Sequence, residues 1–393
     1  MTLAARTVSD GDTSTARKVF YFTIVDLGRV DNGGGLVCRN HAACIAETPG
    51  VVLTICNVGP PEQRAGSAAF AQQIGADFRF LEIDKSARPP AISFPFTLER
   101  EAAAQAHVHD DVAAVLDAVR PDLVVVDYLF SALYSPSIYR RRDLRRISIT
   151  LNKESRFFRE TLSRPASLAS RVKTMRLWLY EQSVYARSHA VVTLNGPDVT
   201  PFPWLNRVVI APIFGRSARP WHGGDGRLLF VGNSGHFPNR QAIDWLCTRF
   251  ASEFAKRSAA RIAIVGAGPE DVPAGLPGNV DLLGSSTAEA VEQLYQGCGL
   301  FVAPIANTHG SKIKLLQCLS RGTPFVATDS ALSGLPGLDA PLIDLDDAPA
   351  AAKVVAALLG DRGRRAELSN RLKTYHSHAL DAQRRGWCDL LHG

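Results

Sequence analysis

The chain has 393 residues, too many for one ordinary hydrophobic core, so two domains are expected. With 46% hydrophobic and 21% charged residues its composition is that of a globular enzyme, and no stretch approaches the ~20 apolar residues of a membrane span. A net charge of +6 is modest for this length and suits either simple solubility or a phosphate-bearing partner, and no nucleic-acid partner is expected. Met1 to Lys18 is polar, without an apolar core segment, and reads as a frayed tail and not a signal peptide. Seven cysteines, at 38, 44, 56, 247, 298, 318 and 388, include no Cys-x-x-Cys spacing. That argues against a disulfide framework or a zinc site and for a reducing, cytoplasmic setting.

In chain order the pattern is strand, loop, helix, repeated. Val19–Asp26 is a β-rich run followed by Asn32-Gly33-Gly34-Gly35, which reads either as a plain flexible turn or as one able to wrap a sugar or phosphate together with Arg39. Val51–Asn57 and Phe78–Ile83 are further strands, and Ala102–Val119 is helical by composition. In that helix His107 and His109 lie ~200° apart, too far to face one ion. Pro121–Asp127 is almost continuously apolar, as expected of a parallel strand covered on both faces. Arg146–Leu151 and Ala190–Leu194 continue the series.

Two arginine-rich stretches, Tyr139–Arg146 and Arg156–Arg187, lie among these elements, the second interleaved with Leu177, Trp178, Leu179 and Tyr180. Two readings stay open: a solvated basic helix packed by its apolar side, or a surface resting on an anionic membrane near a lipid-linked acceptor. The second would make the protein peripheral at the inner face of the membrane.

Prolines and glycines concentrate over 205–225 (Pro212, Gly215, Pro220, Gly223, Gly224), and the domain boundary is placed there: 1–212, then 213–375, with 376–393 as a helix packing back on the first domain. The second series comprises strands at Leu228–Val231, Arg261–Val265, Val280–Leu283, Leu300–Pro304 and Pro324–Thr328, with helices at Asn239–Phe254, Thr287–Gln296 and Lys312–Ser320. This alternation predicts doubly wound α/β architecture in both halves, with ligands beyond the carboxyl ends of the strands.

Two segments there are candidates for chemistry. In His309-Gly310-Ser311-Lys312-Ile313-Lys314, Ser311 is placed as the cap of a helix whose amides suit a pyrophosphate. At ~100° per residue Gly310, Lys314, Gln317 and Arg321 share one face of that helix. Lys314 would reach phosphate oxygens and Gln317 ribose hydroxyls; a plain solvated face is the alternative. The glycines of Phe230-Val-Gly-Asn-Ser-Gly-His-Phe-Pro-Asn239 follow the first strand of this half, where backbone can approach a ligand closely; a plain strand-to-helix turn is the alternative. Gly266-Ala267-Gly268 is a poor dinucleotide fingerprint, because Asp271 stands where the last glycine belongs.

The chain resembles the family 4 glycosyltransferases of the GT-B class, particularly bacterial polysaccharide-type sugar transferases, from about residue 19 to 375. Phe230-Val-Gly-Asn233 with Pro238-Asn239 is similar to the family's FVGS…PN segment, and Gly310–Thr328 is similar to GTRLKILEALAxGxPVVST. Leu151-Asn-Lys-Glu-Ser155 looks like HNVES, and Tyr180-Glu181 with Ala190–Asp198 looks like YE…ADxVVxVSxxD. The resemblance implies two Rossmann-like domains facing across a cleft and retaining transfer of a sugar from a nucleotide-diphosphate sugar. It implies no cofactor and no divalent metal. The acceptor is left open as a glycan, a lipid-linked molecule or a small molecule. Lys314 and Lys312, with the amides of Gly232, Asn233 and Ser311, would stabilise the leaving diphosphate; Gly34, Gly35, His309, Gly310 and Gln317 would line the donor, and Glu154 would orient an acceptor hydroxyl or the sugar. The chain departs from the family at its Glu-x7-Glu motif, which reads His309 and Gln317, and at its N-terminal histidine, which is Leu151. Two rival functions share this fold: a sugar-nucleotide epimerase using the same pocket, and a non-catalytic scaffold.

Overall fold

A computed structural model describes residues 16–29, 33–84, 86–87, 102–161, 167–195, 206–224, 226–272, 275–306 and 312–393. The N-terminal tail, Asn32, and the expected donor contacts His309, Gly310 and Ser311 lie outside the described residues. The chain divides into two compact units, one of residues 1–212 with 383–393, the other of residues 213–382.

The first unit holds seven strands: β1 (Arg17–Thr23), β2 (Val51–Gly59), β3 (Asp77–Glu82), β4 (Leu123–Asp127), β5 (Arg145–Thr150), β6 (Ala190–Thr193) and β7 (Arg207–Val209). Their order is β3-β2-β1-β4-β5-β6-β7, and every pair is parallel. β4 and β6 are buried along their whole length, because helices cover both faces of a parallel sheet. Phe20, Phe22, Val124 and Val126 pack with Val108, Val112 and Leu116 of the helix Ala106–Val119 on one side. On the other, Leu129, Phe130 and Val191 pack with Leu177, Val184 and Tyr185 of the helix Leu168–Ala186.

The second unit repeats the plan with β8 (Leu228–Val231), β9 (Ile262–Val265), β10 (Val280–Leu282), β11 (Leu300–Ala303) and β12 (Phe325–Ala327), ordered β10-β9-β8-β11-β12 and all parallel. Both units therefore have the doubly wound, Rossmann-like order in which the strand sequence reverses beside the first strand. The predicted α/β class is borne out.

Local structure departs from expectation at three places. Gly33–Gly35 are the first turn of a helix, Gly33–Ala46, and not a free turn. Glycine disfavours a helix, but Val37, Cys38, His41, Ala42 and Ile45 bury one stripe against the sheet, and that packing wins. The helix of the lysine segment begins at Ile313, with Lys312 as the residue before it and no side-chain cap bond. The helix expected at Asn239 begins at Phe237, where Pro238 fits the first turn.

The last helix, Arg362–His392, contributes its final turns to the first unit. There Trp387 is fully buried edge-on to His41 at 5.8 Å, and Gln383 Nε2 donates to Asn40 Oδ1.

Candidate functional site

In the second unit the strand order reverses between β8 and β11, and the loops beyond their carboxyl ends carry Gly232–Gly235 and the approach to Lys312. The turn after β8 is closely tied. Gly232 N donates to Val265 O at 2.9 Å, Ser234 N to Gly266 O at 2.9 Å, and Gly235 N to Asn233 Oδ1 at 2.7 Å. A Cβ on Gly232 would stand 2.7 Å from Asn239 Cγ, so only glycine lets Asn239 close over the turn. Gly266, with φ +91°, admits the Gly232 carbonyl in the same way.

Asn239 is the link between this turn and the lysine helix. Its Nδ2 donates to Asn233 O at 2.9 Å, and its Oδ1 accepts from Lys314 Nζ at 2.8 Å. Lys314 also stands 5.5 Å from the centre of the Phe230 ring. Burial of its ammonium lowers its pKa to about 8. The imidazole of His236, just before the helix Phe237–Trp245, is likewise held below its usual pKa, first by burial and then by the charges of Lys314 and Lys312. Three basic side chains thus converge on a glycine turn. The desolvated ammonium of Lys314 donates to a neutral amide, an arrangement that an anion would complete electrostatically.

Gly232 cannot donate to a ligand as expected, because its amide already serves Val265 O; its contribution is steric. Gln317 sits one turn beyond Lys314, half-buried, with its side-chain amide making no hydrogen bond to a described residue. Arg321, expected on the same face, is engaged elsewhere. Its guanidinium pairs with Glu292 and lies 5.1 Å from the Tyr295 ring centre. Burial alone would raise the Glu292 carboxyl, but hydrogen bonds from Arg321 and its charge bring it below the usual range.

In the first unit the reversal lies between β1 and β4. Gly34 and Gly35 open the helix after β1, while Arg39 turns away to the Leu27 carbonyl and the Phe70 ring, 4.1 Å from its centre. Glu154 starts the helix Glu154–Thr161 after β5 and is buried. Its position is set by Glu181, whose Oε1 accepts from Glu154 N at 3.0 Å and whose Oε2 accepts from Ser155 Oγ at 2.7 Å. Burial raises the Glu181 carboxyl, and the bonds from Ser155, Tyr185 and Glu154 pull it back. Tyr128, just past β4, has φ +73°, a strained value for a tyrosine, and its hydroxyl is pushed up by burial and then by the charge of Glu154. Between β1 and β4, Asp127 Oδ2 bonds His41 Nδ1 at 2.9 Å and accepts from the Tyr21 hydroxyl, all fully buried.

Sequence reasoning placed His236 and Asn239 in a candidate segment without giving their side chains a role, and it missed Tyr128 and the His41–Asp127 pair. Asn239 and His236 flank the glycine turn and are visible there. The φ of Tyr128 leaves no mark in the sequence.

Among the solved structures that resemble the chain over nearly all of its length are the following three. Sucrose-phosphate synthase from Thermosynechococcus elongatus superposes with a TM-score of 0.67 at 13% identity, covering 95% of this chain and 98% of its own. For TarM the values are 0.69, 11%, 97% and 100%. For HepE from Anabaena, solved in complex with UDP and glucose, they are 0.62, 11%, 94% and 98%. The chain has the GT-B fold. Residues 225–361 match the family model of the Glycosyl transferases group 1, and every member of the second-unit cluster, from Gly232 to Lys314, falls inside that span of the GT-B chain. No curated protein is close enough in sequence to match it.

Proposed function

We propose that this GT-B protein is a glycosyltransferase that takes a sugar from a nucleotide-diphosphate sugar, with retention of configuration, in the assembly of a bacterial polysaccharide or glycoconjugate. The observation that carries the reading is the convergence of Lys314, Lys312 and His236 on the Gly232–Asn233 turn at the reversal point of the second unit, within the segment that matches the group 1 family model. A diphosphate is the ligand this geometry suits. Its charge would meet Lys314 and Lys312, and the Asn233 amide would face it from the turn.

Retaining transfer passes through an oxocarbenium-like state as the diphosphate leaves, and preorganised positive charge at the leaving oxygens is the main requirement. Lys314 meets it because Asn239 fixes the ammonium before any ligand arrives. His309, Gly310 and Ser311 are assigned to the donor on the resemblance alone, and Gln317 would bond the ribose hydroxyls. Gly34 and Gly35 are assigned to the sugar, and Glu154 to an acceptor hydroxyl, held for that purpose by Glu181. The scheme uses no metal. The sequence does hold an Asp-x-Asp pair, Asp344-Leu345-Asp346, but Asp344 Oδ1 accepts from Asp346 N at 2.9 Å, and the adjoining Asp347 caps the helix Ala348–Gly360.

A thermal-shift and calorimetric screen with UDP, GDP, dTDP and CMP, and with their sugars, tests the reading. Binding of one nucleoside diphosphate, followed by its release from the matching sugar nucleotide when acceptor is added, is expected. Binding without any turnover of the sugar nucleotide would favour a scaffold, and no binding at all would remove the donor site.

A further inference from the structure

The helix Leu168–Ala186 has an inner face that belongs to the core and an outer face that does not. Leu177, Glu181, Val184 and Tyr185 are buried. On the opposite side Leu168, Val172, Met175 and Leu179 are exposed, Leu168 by 79% and Met175 by 55%. Their spacing of four, three and four residues sets them in one stripe along the helix axis. Single exposed apolar residues are ordinary, but a continuous stripe of four is a surface that something covers.

The charges around the stripe say what. Arg171 lies on one flank and Arg176 on the other, with Lys173 beyond it; all three are exposed, and none has an ion pair with a described residue. Between Leu168 and Tyr180 the sequence has those three basic residues and no acidic one. Trp178, also exposed, falls on the same flank of the helix as Arg171, about two turns further along. Arg159, on the helix Glu154–Thr161 that packs against this one, is exposed too. An apolar stripe flanked by unpaired cations and a tryptophan is the chemistry of a helix lying in a lipid headgroup layer. A protein partner of ordinary composition would bring carboxylates to particular cations, whereas here the positive charge borders the stripe on both sides, which suits a uniformly negative plane. No described helix is long and apolar enough to cross a membrane.

We propose that the outer face of this helix is a docking surface for an anionic membrane, with Leu168, Val172, Met175 and Leu179 entering the acyl boundary and Arg171, Lys173 and Arg176 meeting acidic headgroups. The inference does not depend on the glycosyl-transfer reading, and its test measures no catalysis. The full-length chain is sedimented with vesicles of phosphatidylcholine alone and with vesicles containing about 30% phosphatidylglycerol, at low and high salt. At least ~tenfold tighter binding to the anionic vesicles, lost at high salt, is expected.

Val172→Ser/Met175→Ser/Leu179→Ser changes only exposed residues and abolishes most of that binding with an unchanged melting temperature. Arg171→Gln/Lys173→Gln/Arg176→Gln, a second variant that leaves the stripe intact, weakens it by about fivefold per charge removed. Equal affinity for the two vesicles, no binding to either, or binding indifferent to both variants overturns the proposal. So does sedimentation equilibrium showing a dimer that the serine variant returns to monomer, since the stripe would then be an interface between two copies of the chain.

Discussion

Asn239 Oδ1 accepts the ammonium of Lys314 at 2.8 Å while the same side chain donates to the Asn233 carbonyl at 2.9 Å. One amide therefore fixes the position of a buried positive charge relative to the backbone turn that would share its ligand. Lys314→Ala is expected to weaken nucleoside-diphosphate binding by about 1.5–3 kcal/mol, the range for a charge-assisted bond. Calorimetric titration of the folded variant decides the point, and unchanged affinity would remove Lys314 from the ligand.

Gly232 touches the same amide from the other side. Gly232→Ala would place a methyl 2.7 Å from Asn239 Cγ, displacing a buried side chain at a cost of about 1–3 kcal/mol in stability. In an Asn239→Ala background the obstruction is gone, and the cost of Gly232→Ala should shrink to a fraction of that value. Additive losses in this double-mutant cycle, measured by denaturant unfolding, would show that the two residues do not meet.

The lowered pKa of Lys314, about 8, gives the site a pH dependence whose sign can be worked out. The folded chain releases this proton more easily than the unfolded chain, so stability from this group rises as pH climbs from about 8 towards 10.5. Anion binding runs the opposite way, because it needs the ammonium. Diphosphate affinity is expected to hold below about pH 8 and to fall by up to ~tenfold per pH unit above it, with proton uptake on binding near the midpoint. Titrations in buffers of different ionisation heat measure that uptake. A pH profile that survives unchanged in Lys314→Met would assign it to another group.

Gln317 stands where the resemblant family has glutamate. With a side-chain amide that bonds no described residue, Gln317→Glu is expected to tighten nucleotide binding by about 1 kcal/mol, as a charged acceptor replaces a neutral one. Side-by-side titration with the best nucleotide of the screen tests it. A glutamate variant that binds more weakly would sink the ribose contact and favour a pocket rebuilt for another ligand.

Much of the architecture could be read directly from residue order. Leu123–Asp127 and Leu300–Ala303 announce buried parallel strands because burial on both faces demands an unbroken apolar run, and that demand is local. The glycine turn at Gly232 and the lysine segment could be found for the same reason, since each follows a strand end where doubly wound sheets bind ligands. Tertiary structure decided the rest. Gly33–Gly35 became helix because distant strands buried the stripe that follows them, against their own propensity. Arg321 went to Glu292, 29 positions away in sequence, and Glu181 became the anchor of Glu154 from 27 positions away. The pKa of Lys314 depends on how completely neighbouring chain excludes water from its ammonium. Periodicity registers which face of an element is apolar; which polar group a side chain meets, and how dry that meeting is, exists only once the elements have packed.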